Sequence, residues 1–115
     1  MKEGVGWGPH LGGSTLGMPG SLGGTISRDE SLAQGHGRLT LEEDAERSFW
    51  ALTCSVEGWL VHTRYFGTDA EAHAAFEEMK PALAHLLTAL PAAPGNHEQV
   101  QHAGPLLAAF TARFP

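Results

Sequence analysis

Cysteine is almost absent. Cys54 stands alone in 115 residues, so no internal disulfide is available, and the chain reads as a cytoplasmic protein. Basic residues are also scarce. Seven Lys and Arg against thirteen Asp and Glu leave a formal charge of -6. That balance repels a polyphosphate backbone and an anionic bilayer surface, so neither nucleic acid nor membrane is an expected partner. No apolar run is long enough to span a bilayer, and Met1–Gly20 lacks the charged start and apolar stretch of a secretion signal.

Familiar catalytic and nucleotide-binding patterns are missing too. "GVGWGPHLGG" is rich in glycine, yet it matches neither G-x-x-x-x-G-K-[ST] nor G-x-G-x-x-G, and no strand precedes it. No serine nucleophile elbow occurs. The carboxylates of Glu42-Glu43-Asp44 read as a loop, and Glu77-Glu78 beside Lys80 as a solvated helix exterior.

Histidine, by contrast, is abundant. Protonating all seven takes the formal charge from -6 to +1 (-6 + 7), so solubility should depend on pH just below neutrality. Their spacing does not suit a metal. "NHEQVQH" has one residue more than H-E-x-x-H, which sets His97 and His102 five apart and off a common helix face. His73 and His85 are too distant along one helix to chelate together. His10 and His36 lie in irregular chain. Neither a metal nor a cofactor is expected.

The chain changes character near Gly37. Residues 1–37 carry eleven of the fifteen glycines and read as an irregular arm. Val5, Trp7, Leu11, Leu16, Met18, Leu22 and Ile26 are spaced through it, which predicts an arm docked on the domain formed by residues 38–115. In that domain "RLTLEE", "SFWALTCSV" and "WLVHTRYF" read as strands. Thr68 with Glu71 forms a capping box. Behind it, apolar residues recur every three or four positions from Ala72 to Leu90, predicting a long helix kinked at Pro81. Asn96 with Gln99 caps a second helix, whose stripe runs Val100, Ala103, Leu107, Phe110 and Phe114. The expected fold is α+β: a three-stranded antiparallel meander with both helices on one face, preceded by the glycine-rich arm.

Register decides the chemistry. A two-residue turn at Glu57-Gly58, preferred over a three-residue one, sets Val56 against Trp59, Cys54 against Val61, Leu52 against Thr63 and Trp50 against Tyr65. It collects the most apolar side chains under the helices. Cys54 and His62 then lie on opposite faces and cannot form a nucleophile–base pair. A four-residue loop at Asp44–Arg47 adds Leu41 against Trp50 and Leu39 against Leu52.

The other face then gathers Arg38, Thr53, His62 and Arg64 as a candidate anion-binding set, with Phe49, Leu60 and Phe66 as a candidate interface. We expect a small acidic, non-enzymatic, self-associating interaction module, most simply a homodimer. The alternative is a binding protein or enzyme for a small anionic ligand, with His62 carrying protons.

Overall fold

The computed structural model describes residues 6–91 and 95–115. Val5 and the middle of the Pro91–Gly95 helix stop therefore lie outside the described residues. The class is α+β, as the sequence predicts. The sheet, however, has five strands rather than three, antiparallel in the order β1-β2-β3-β4-β5. They are β1 (Gly8–Pro9), β2 (Thr25–Leu32), β3 (Gly37–Glu43), β4 (Trp50–Val56) and β5 (Leu60–Phe66), followed by helices α1 (Asp69–Ala89) and α2 (His97–Arg113).

The two additional strands come from the glycine-rich segment. β2 pairs with β3 from Thr25↔Glu43 to Leu32↔Gly37, with one irregularity between Ile26 and Arg28. Ile26 and Asp29 thereby occupy one face, and Arg28 and Glu30 the other. The glycines flanking this strand hid it, although the eight residues from Thr25 to Leu32 contain none themselves, and their alternation is too weak to stand out. Charge ties β2 to α1. Glu30 accepts from Lys80 at 2.7 Å and from Arg28 at 2.7 Å, while Arg28 also reaches Glu77 at 2.5 Å and lies 3.9 Å over the Phe76 ring. Trp7 docks on the same helix by donating its indole N–H to the Lys80 carbonyl.

Both capping predictions hold. The Glu71 amide donates to the Thr68 hydroxyl at 3.2 Å and the Gln99 amide to the Asn96 side chain at 2.9 Å, which satisfies amides that the first helical turn leaves free. α1 continues through Pro81 as one helix, and its buried face stays in phase on both sides of the proline, from Phe76 and Met79 to Leu83 and Leu86. The lost bond to the Glu77 carbonyl is outweighed by this continuous apolar face. α2 likewise runs unbroken through Pro105. Leu39, Leu41, Leu52, Cys54 and Val56 from the sheet meet Phe76, Met79, Leu83, Phe110 and Phe114 in one core.

The hairpin register differs from expectation, and the difference reverses a strand. Val56 faces Leu60, Cys54 faces His62, Leu52 faces Arg64 and Trp50 faces Phe66. The turn holds three residues, with Gly58 at φ +82° and the Trp59 amide donating to the Val56 carbonyl. Trp59 leaves the ladder because its ring packs on the core and its indole donates to the Pro91 carbonyl at 3.0 Å. One extra turn residue sends every β5 side chain to the opposite face. The β3–β4 pairing is shifted by two residues instead, with Leu41 on Leu52 and Leu39 on Cys54. An even shift preserves the faces, so that half of the core matches the sequence pattern.

Candidate functional site

The register divides the residues that sequence reasoning had grouped. Arg38 pairs with Ser55, which pairs with Val61, and Thr40, Thr53 and Thr63 form the next row. These belong to the open face, which neither helix covers. His62 and Arg64 share rows with Leu39 and Leu41 on the helix face. Their donors are already engaged there: His62 Nε2 bonds the Phe114 carbonyl at 2.6 Å, and Arg64 reaches the Pro115 carbonyl at 3.2 Å and Met79 Sδ at 3.4 Å. Leu60 and Phe66, expected at an interface, pack against the core. Of the residues named from sequence, Arg38, Thr53 and Phe49 remain accessible from the open side.

Cys54 and His62 do share a face, contrary to expectation. They still form no catalytic pair. The imidazole is turned to the Phe114 carbonyl, the thiol is fully buried, and burial pushes the thiol pKa up to about 11. A nucleophile requires the opposite shift.

The open face has two unlike halves. Toward β2 and β3 it is polar and lies under a lobe of the glycine-rich segment. The Arg38 fork holds Asp29 through two bonds, Nε to Oδ1 at 2.8 Å and an Nη to Oδ2 at 2.6 Å, and Thr40 donates to Oδ1 at 3.0 Å. Burial alone raises the Asp29 pKa, but the Arg38 and hydroxyl bonds outweigh it and hold the carboxyl below its ordinary value. Glu42 is also buried, and its Oε1 accepts from the Leu22 and Gly24 amides at 3.1 and 3.2 Å. That carboxylate fastens the lobe to the sheet. A Cβ at Gly20 would collide with it, which is why the chain has glycine there. Between lobe and sheet lies a hollow of about 630 Å³, lined by Thr15, Met18, Arg38, Thr40, Thr53 and Ser55 among others.

Toward β5 the same face carries no charge and exposes large apolar side chains. Val61 is 76% exposed, Tyr65 62% and Phe49 40%, and the Phe49 and Tyr65 rings meet edge to face with centroids 6.0 Å apart. Thr63 lies between Val61 and Tyr65, and Val61 also borders the hollow beside Thr53 and Ser55, while Ala51 is buried.

Among the described residues no cluster of three or more His, Cys, Asp or Glu side chains is arranged to hold a metal, and no helix is long and apolar enough to cross a membrane. No family model, curated protein or solved structure matches the chain.

Asp29 and Glu42 are the residues that sequence reasoning missed. Glu42 carried a readable signal: it continues the alternation of Arg38 and Thr40, which marks it as a strand residue rather than the start of a loop. Asp29 carried none, because its partner Arg38 is joined to it through a pairing of strands that only the fold creates.

Proposed function

We propose that the protein is a non-enzymatic interaction module that self-associates as a homodimer through the β4–β5 end of its sheet. The supporting observation is the exposure of Phe49, Val61 and Tyr65 on a sheet face that the helices do not cover. Val61 borders the hollow beneath the lobe, whereas the Phe49–Tyr65 pair does not line it. An exposed apolar cluster of aromatic and β-branched side chains is the common mark of a protein contact. On a chain of charge -6, an uncharged patch also lets two copies meet without opposing like charges.

The alternative, a small anion held by Arg38, His62 and Arg64, finds less support. Those side chains lie on two faces, and each already has a partner within the chain.

Sedimentation across a wide concentration range at neutral pH tests the proposal. The wild type should shift from monomer to dimer, and Tyr65→Asp should remain monomeric with an unchanged circular dichroism spectrum. A wild-type monomer at every concentration overturns it.

A further inference from the structure

The two edges of the sheet are built differently. β1 is two residues long and includes Pro9, so it offers almost no free ladder. β5 is seven residues long, contains no Lys, Pro or Gly, and pairs with β4 without a bulge. Among the described residues no backbone hydrogen bond is made on its outer side. A long, regular edge is what soluble proteins ordinarily blunt with outward charge, proline or a bulge, because its free amides and carbonyls recruit another strand. The Arg64 charge of β5 is turned to the Pro115 carbonyl instead.

Resting on the self-association proposed above, we infer that the partner of β5 is β5 of a second copy, paired antiparallel about Thr63. A two-fold axis normal to the sheet relates the copies and joins their sheets edge to edge.

The sequence of the strand, Leu-Val-His-Thr-Arg-Tyr-Phe, is self-complementary in this register. Thr63 faces its own copy. On the open face each Val61 faces a Tyr65, the β-branched–aromatic pairing that favours sheets. The Phe49 ring packed on each Tyr65 extends the apolar strip to both sides of the axis. On the helix face Leu60 meets Phe66, and His62 meets Arg64, whose side chains turn back toward the end of α2.

Neighbouring registers are poorer. A shift of two residues one way opposes Arg64 to Arg64 and leaves only residues 62–66 paired. The same shift the other way opposes His62 to His62 and leaves only residues 60–64. An odd shift would set open-face residues against helix-face residues. The blunt β1 edge then closes the assembly: each copy has one adhesive edge, so the product is a dimer and not a fibre.

Cysteine cross-linking reads the register. Opposed Cα atoms in an antiparallel pair lie about 4.5–5.5 Å apart, within disulfide reach. Under mild oxidation Thr63→Cys should link to itself. Val61→Cys and Tyr65→Cys should each stay unlinked alone and link when mixed. Buried Cys54 stays in place as an internal control. Without any substitution, amides of β5 should gain hydrogen-exchange protection as concentration rises. A dimer in which Thr63→Cys stays unlinked, or in which Val61→Cys links to itself, overturns this register while leaving self-association standing. A monomer at every concentration overturns both.

Discussion

Cys54 and His62 are direct partners across β4 and β5, yet the imidazole bonds the Phe114 carbonyl at 2.6 Å and leaves the thiol protonated inside the core. Adjacency along a ladder therefore does not by itself create a catalytic pair. The helix packed on that face decides where the imidazole points.

The thiol should be inert in the folded protein. Alkylating reagents at pH 8 should modify Cys54 only after denaturation. Burial raises its pKa from 9.0 to about 11, so the unfolded chain ionises across an interval in which the folded chain keeps its proton. The thiol therefore leaves stability unchanged below its unfolded-state pKa and lowers it as pH rises toward 11, by up to roughly 2–3 kcal/mol at 1.36 kcal/mol per unit. Cys54→Ala should remove that alkaline loss while costing about 1–2 kcal/mol at neutral pH through lost packing. Denaturant unfolding at several pH values measures both. Rapid alkylation of the native protein would contradict the burial argument.

Asp29 and Arg38 should act together. The Asp29 carboxyl is held below its ordinary range, so its contribution is present at neutral pH and is lost as pH falls through its folded-state pKa. Asp29→Asn should cost about 2–3 kcal/mol, below the upper range for a buried pair because the Arg38 side chain is one-third exposed. It should also flatten the acid limb of the stability profile. An acid limb identical to wild type would remove Asp29 from this role.

Glu42 should hold the lobe rather than the fold. Glu42→Gln weakens the acceptor that serves the Leu22 and Gly24 amides, with an expected cost of about 1–2 kcal/mol. Exchange of those two amides should quicken while the amides of β4 keep their protection. Gly20→Ala should destabilise the wild type but cost much less in a Glu42→Ala background, because the added methyl then has room. Additive costs in that double-mutant cycle would show that the carboxylate and Gly20 do not meet.

Several features were legible in the sequence because they are local. Thr68 and Asn96 announce their helices through bonds to residues three positions on. The spacing from Ala72 to Leu86 names the buried face of α1 across Pro81, since a helical stripe depends on chain geometry alone. The alternation of Leu39 and Leu41, and of Leu52 and Cys54, fixes which side of β3 and β4 meets the core, and it survives a two-residue error in pairing.

What the tertiary structure decided lies wherever a distant partner breaks a near tie. "LVHTRYF" mixes apolar and polar side chains on both faces, so pattern alone could not orient β5. The choice came from Trp59 reaching Pro91, and from His62 and Arg64 finding the carbonyls of Phe114 and Pro115. Those contacts span 32 to 52 positions of chain. Likewise, nothing within Thr25–Leu32 announces a strand. It becomes one because Asp29 meets Arg38 and Glu30 meets Lys80, while Glu42 of β3 collects the amides of the lobe that precedes it. Local spacing fixes a face when one side of an element is plainly apolar. Where both sides are acceptable, long-range hydrogen bonds that must be satisfied in a buried setting make the choice.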